Sequence, residues 1–145
     1  WNPDAKGAFI GLKMTHSNAD IYRAVLEGVA YNLRIIMEIF EKHKPINEVI
    51  LIGGGAKGRV WMEILSDVWQ KTILVPVYLE EATSMGAAVC GGVGIGAFPD
   101  FKVISKFNGI AAEIKPREYY KETYDRLYKL FNRTYEALIP IYKLL

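Results

Sequence analysis

The chain has 145 residues, 51% of them hydrophobic, enough for one domain with a real core and large buried surfaces. Its 18 basic and 16 acidic side chains leave a net charge of +2, a balance with no electrostatic footprint for nucleic acid or an anionic membrane. The single cysteine, Cys90, excludes an intramolecular disulfide and, set in a run of small apolar residues, is expected to be a buried, reduced thiol. No signal-peptide pattern precedes the first motif, and the longest weakly polar stretch, Met85–Phe98, is too short and too glycine-rich to span a bilayer, so a cytoplasmic setting is expected. The first residue is Trp1 rather than methionine, from which we expect a processed chain or a piece of a longer one.

In chain order, "WNPDAKGAFIGLKMTH" opens with Asn-Pro and Asp turn signals, then a short apolar run around Ala8–Leu12 that reads as a strand or an extended arm. Behind Ser17 or Asn18 as cap, Ile21, Val25, Val29, Leu33, Ile36 and Phe40 recur at helical spacing. They predict a long amphipathic helix ending near His43, before Pro45. Val49–Ile52 is short, continuous and apolar, as expected of a strand buried on both faces. A second helix follows from about Arg59 to Gln70, with Trp61, Ile64, Leu65 and Val68 on its inner side. Ile73–Tyr78 reads as a second strand, where Pro76 marks either an edge or the last paired residue.

Thr83 or Ser84 then caps a third helix through "MGAAVCGGVGIG". Glycine in a helix interior costs about 1 kcal/mol relative to alanine, so Gly86, Gly91, Gly92, Gly94 and Gly96 call for close backbone packing or a hinge. After Pro99 a polar, irregular link reaches Pro116, and a last helix carries Tyr120, Tyr124, Leu127, Phe131, Tyr135 and Leu138 as a core stripe. This order implies an α/β domain with a small parallel sheet and several long helices. Two or three strands make a thin sheet for so much helix, so further strands are expected outside this chain.

The stretch "VILIGGGAKGRVW" is the strongest candidate for chemistry. Bare glycine backbone lets main-chain N–H groups approach a ligand, and a helix starting just afterwards aims its positive end at the same place, as a phosphate or nucleotide cradle requires. Gly53, Gly55 and Gly58 satisfy a G-x-G-x-x-G dinucleotide pattern, with Glu80 or Glu81 as the ribose acid. A long helix precedes the strand, however, and the acid falls past Pro76. The P-loop pattern fails, because Arg59 and Val60 follow Gly58. The glycines also suit a plain strand-to-helix turn, and Lys57 and Arg59 suit a solvated surface. Trp61 reads as core packing. Asp20, Glu27, Glu63 and Asp67 read as solvated-face or capping residues, and His16 and His43 are too isolated to indicate a metal site or triad.

The segments "NPDAKGAFIGLKMTHSNADIYRAVLEGVAYNL", "LIGGGAKGRVWMEILSDVW" and "EEATSMGAAVCGGVGIG" follow one another as they do in the C-terminal half of the FGGY carbohydrate kinases. The whole chain resembles that family, its xylulose kinases most, and Gly11–Glu27 resembles its second signature. The resemblance implies part of the ribonuclease H-like ATPase fold shared by actin, hexokinase and sugar kinases, with ATP, Mg2+ and sugar bound between two domains. Residues 1–145 would be the C-terminal nucleotide-binding domain. The resemblance implies that the aspartate base, the phosphate loop and most sugar contacts belong to an N-terminal domain, expected to lie outside these residues.

It further implies that Gly53, Gly54 and Gly55 offer backbone donors near the α-phosphate and ribose, while Ala56, Lys57 and Arg59 line the adenine slot. No catalytic or metal-binding residue is assigned within this chain. The implied reaction is ATP-dependent phosphorylation of D-xylulose to D-xylulose 5-phosphate, with the chain inactive alone and a homodimer open. Gluconate or another polyol is the rival substrate, and a stand-alone nucleotide-binding module the rival of a different class. The third helix would pack at the interdomain contact. Gly58 stands where many relatives have serine, which leaves it an N-cap at a loss of a few tenths of a kcal/mol.

Overall fold

The computed structural model describes residues 2–145; Trp1 lies outside the described residues. The elements are α1 (Asn18–Glu41), β1 (Glu48–Ile50), α2 (Arg59–Trp69), β2 (Thr72–Pro76), α3 (Ala82–Gly94), the single turn α4 (Ile104–Phe107), β3 (Ile110–Ile114) and α5 (Lys121–Tyr142).

A capping box starts α1: the Ser17 side chain accepts from the Asp20 N–H, and the Asp20 carboxylate accepts from the Ser17 N–H at 2.8 Å. Those bonds hold the Asp20 carboxyl below the usual carboxylate range. The face α1 turns inward is not the expected one. Ala30 and Tyr31 are buried, with Leu26 and Met37 against the core, whereas Val25, Val29, Ile36 and Phe40 are 46 to 62% exposed. The physical reason is what α1 rests on. It packs on α2 and α5 rather than on the sheet; Trp69 Nε1–H donates to the Ala30 carbonyl at 2.9 Å, and Tyr31 sits among Tyr124, Tyr128 and Phe131. The helix is apolar on two faces, and this chain covers one.

The sheet is small, as expected, but mixed rather than parallel. β1 runs parallel to β2, pairing Val49 with Ile73, and β3 runs antiparallel on the other side of β2, pairing Leu74 with Glu113. β2 is therefore central, and Pro76 is its last paired residue: the ladder slips between Val75 and Pro76, where proline has no N–H to give. β3 comes from the segment expected to be irregular. Its residues Ile110–Glu113 are all exposed, so no burial alternation marks it in the sequence. β1 was expected to be buried on both faces and is instead an edge strand, with Val49 turned to the core and Ile50 60% exposed.

The core centres on α2 and β2, where Ile64, Leu65, Val68 and Ile73 are fully buried. Asp67 is buried with them at 1% exposure, against the expected solvated face. Its carboxylate accepts from the Arg117 backbone N–H at 2.8 Å and from that residue's Nε and Nη2 at 3.0 and 2.5 Å, tying α2 to the start of the last helical segment. The acid holds the Arg117 guanidinium above its ordinary range.

On α5, Tyr124 and Tyr128 are buried and Leu127 and Phe131 pack on the core; Tyr128 stands outside the expected stripe, and Tyr135 is partly exposed. The Tyr124 hydroxyl donates to Glu27 at 2.8 Å and accepts from Arg23 at 2.9 Å.

The third helix begins at Ala82 with Glu81 before it and no side-chain cap. Ser84 is already inside, donating to the Glu81 carbonyl at 2.8 Å. Only Gly92 shows the anticipated close approach: a Cβ there would lie 2.4 Å from the Phe98 ring, while Gly86, Gly91 and Gly94 face open space. Val89 is the one buried residue of α3. Its next neighbour, Cys90, is exposed rather than buried, because α3 rides at the surface. Among the described residues, no helix is long and apolar enough to cross a membrane.

Candidate nucleotide site at the glycine turn

β1 and β2 run parallel, so their carboxyl ends open on the same side, where ligands of parallel α/β sheets bind. The glycine turn leaves β1 at that end. Gly53 has φ 75° and ψ −164°, a backbone state that an L side chain rarely adopts, although a Cβ there would meet no neighbour. Gly54–Lys57 then form a single 3-10 turn, and Gly58 passes the chain into α2 through its carbonyl, which accepts from the Met62 N–H at 3.0 Å.

The expected donors divide. The Gly53 N–H is turned toward the Leu79 carbonyl, 3.4 Å away. Gly54 and Gly55 open the 3-10 turn, so their N–H groups have no partner within it. A Cβ on Gly54 would meet nothing within 4 Å, whereas one on Gly55 would lie 3.3 Å from Trp61 Nε1. The turn thus presents backbone on its outer side and rests on Trp61, which is half-buried against the core as its core reading anticipates.

The side chains expected to line an adenine slot also separate. Ala56 is 3% exposed: its methyl is core, and only its backbone borders the turn. The Lys57 ammonium pairs with the Glu80 carboxylate on the loop after β2, and that ammonium holds the Glu80 carboxyl below the usual range. Arg59 turns away, its Nε donating to Glu63 at 2.9 Å, and borders a separate crevice of about 330 Å³ with Asp67, Glu113 and Arg117. Arg59, and secondarily Arg117, keep the Glu63 carboxyl below its ordinary range. Glu80 was legible in the sequence only as one of two acids for a dinucleotide ribose. Nothing in a 23-residue separation announces its pairing with Lys57.

A larger hollow of about 730 Å³ lies between the Gly7–Leu12 arm, α1 and α5. Its walls are largely apolar, and the charged residues that line it are the acids Asp20 and Glu27, with no lysine or arginine in the lining; Arg23, which pairs with Glu27 at 2.8 Å, stands outside it, so the hollow does not suit a polyphosphate. The turn at Gly53–Lys57 suits one better, with the N–H groups of Gly54 and Gly55 unspent within it.

Residues 1–95 match the C-terminal domain of the FGGY family of carbohydrate kinases. The chain belongs to that family. It is 32% identical over 140 residues to a gluconokinase from Bacillus licheniformis, covering 95% of this chain and 27% of that protein. It is 31% identical over 133 residues to a xylulose kinase from Staphylococcus epidermidis, covering 90% and 27%. The crystal structure of xylulose kinase from Rhodospirillum rubrum superposes with a TM-score of 0.83 at 30% identity, covering 98% of this chain and 29% of that one. The fold is accordingly the actin- and hexokinase-like fold of the sugar kinases. This FGGY chain spans about a quarter of the length of the curated relatives it matches.

Proposed function

We propose that this chain is the C-terminal, nucleotide-binding portion of an FGGY sugar kinase that transfers the γ-phosphoryl group of ATP to D-xylulose, giving D-xylulose 5-phosphate. The observation that carries the reading is the glycine turn: Gly53 bends the chain outward at the carboxyl end of a parallel strand, and Gly54 faces open space with its N–H and that of Gly55 unspent within the turn. Backbone donors of this kind bind phosphate oxygens without crowding them. In the transfer, the sugar hydroxyl oxygen bonds to the γ-phosphorus as the bond to the β–γ bridging oxygen breaks, and ADP leaves. This chain's part is to fix the α-phosphate and ribose at Gly54 and Gly55 and the base near Lys57, so that the γ-phosphorus meets the acceptor in line.

The base that takes the hydroxyl proton, and most of the sugar contacts, are assigned to protein outside this chain, which is inactive alone. Among the described residues no three histidine, cysteine or acidic side chains group closely enough to hold a metal ion. Mg2+ would be carried mainly by the ATP phosphates and water, and no step is assigned to it here. The span of about a quarter of the relatives' length supports a further part of the proposal: the uncovered apolar face of α1 and the free edge of β1 pack against the rest of the parent protein. The 32% identity to a gluconokinase favours gluconate as the second reading of the substrate.

Titration with ADP and with NADH, followed by calorimetry, tests the nucleotide assignment. ADP binding with no comparable NADH binding is expected; a preference for NADH would overturn the kinase reading in favour of a dinucleotide site.

A further inference from the structure

Two tethers join the glycine turn to the loop after β2. One is the Gly53 N–H directed at the Leu79 carbonyl; the other is the Lys57–Glu80 ion pair one residue further along that loop. Between them lies the ground on which the proposed nucleotide would sit, with the open donors of Gly54 and Gly55 at one end and Lys57 at the other. Resting on that nucleotide reading, we propose that Glu80 is a positioning residue: it holds Lys57 in place as the outer wall of the adenosine slot and makes no contact with the ligand itself.

Exposure decides what kind of role the pair has. The two side chains are 56 and 68% exposed, and ion pairs this open to water contribute little to folding. A base laid against Lys57 removes water from one side of the pair, which strengthens its electrostatic attraction. The pair therefore matters when the slot is filled. It also leaves the wall close to neutral, which suits a neutral base and ribose, while the phosphates are left to backbone donors. Glu80 is the sole partner that orders Lys57 among the hydrogen bonds of the described residues. Arg59, the other basic residue of the motif, is directed to Glu63 instead.

Adenosine and ADP bracket the site, because adenosine lacks the phosphates. Their dissociation constants are to be measured on the wild-type protein, Glu80→Gln, Lys57→Met, the double variant, and the charge-swapped Lys57→Glu/Glu80→Lys, with thermal melting of each. The wall predicts that Glu80→Gln and Lys57→Met each weaken adenosine and ADP by the same factor, about three- to tenfold. The double variant should lose no more than either single, the swapped pair should recover most of the loss, and melting temperatures should stay put. Loss of ADP affinity with adenosine unchanged would make Lys57 a phosphate contact and overturn the wall. Additive losses would make Glu80 a ligand contact and overturn its positioning role. Normal ADP binding in every variant refutes the wall and leaves the nucleotide site standing, whereas no ADP binding by the wild-type protein refutes both.

Discussion

Replacing Arg117 by alanine should destabilise this protein more than replacing Asp67, although the two form one ion pair. Asp67 is 1% exposed and the Arg117 side chain 35%, so each deletion strands a different group. In Arg117→Ala the Asp67 carboxylate stays in the core with only the backbone N–H at position 117 as partner. Uncompensated buried charge costs about 3 to 5 kcal/mol. The same substitution removes the guanidinium stacked 4.7 Å from the centre of the Tyr120 ring, and a loss of about 4 kcal/mol results. In Asp67→Ala the guanidinium reaches water and stays near Glu63, 3.7 Å away. What is lost is the bonding itself and one acceptor for a backbone N–H, about 2 kcal/mol. With a urea slope of about 2 kcal/mol per molar, equilibrium unfolding at pH 7 should show midpoints lower by about 2 M and 1 M respectively. Asp67→Leu/Arg117→Met should fall by less than Arg117→Ala, since an apolar pair leaves no charge behind. Equal losses, or a larger loss for Asp67→Ala, would refute the burial asymmetry on which the estimate rests.

Other consequences follow from the same packing. Burial pushes the Tyr124 hydroxyl up to about 12 from 10.0. Its contribution, about 2 to 3 kcal/mol, is complete below pH 10 and disappears as pH rises from 10 to 12, where the unfolded chain gives up the proton first; urea midpoints across that window should fall less steeply in Tyr124→Phe. The Tyr31 hydroxyl is buried without a hydrogen-bond partner, so Tyr31→Phe should leave stability unchanged or raise it by about 1 kcal/mol, read by thermal melting. In α3, Gly91→Ala should stabilise by about 0.5 to 1 kcal/mol, since its Cβ meets open space. Gly92→Ala should instead destabilise by about 1 to 2 kcal/mol, because a methyl 2.4 Å from Phe98 must displace the ring.

Elements written by local chemistry were legible in the sequence. Ser17 and Asp20 announce the start of α1, and the glycine turn announces itself between an apolar run and a helix. What was lost depended on partners. The α1 stripe is a true helical period, but Val25, Val29, Ile36 and Phe40 lie open while Ala30 and Tyr31 are buried. Periodicity shows that a face is apolar, not which of two apolar faces this stretch of chain covers. β3 is exposed along Ile110–Glu113 and so carries no alternation to read. Asp67 looks like any helical acid until Arg117, fifty residues on, is brought to it. At the site, three adjacent glycines suggested three equivalent donors; the turn gives Gly53 an acceptor on the neighbouring loop and leaves Gly54 and Gly55 open. Lys57 and Arg59 are two residues apart, yet one faces Glu80 and the other Glu63.

The glycine turn as a nucleotide cradle is tested most directly at Gly54. A Cβ there meets no atom within 4 Å, so Gly54→Val adds bulk where the ligand is proposed to lie without disturbing the surrounding packing. Calorimetric titration with ADP should show binding to the wild-type protein and its loss in Gly54→Val, with the two melting curves superimposable. Undiminished ADP binding by Gly54→Val, or none by the wild-type protein, would contradict the assignment.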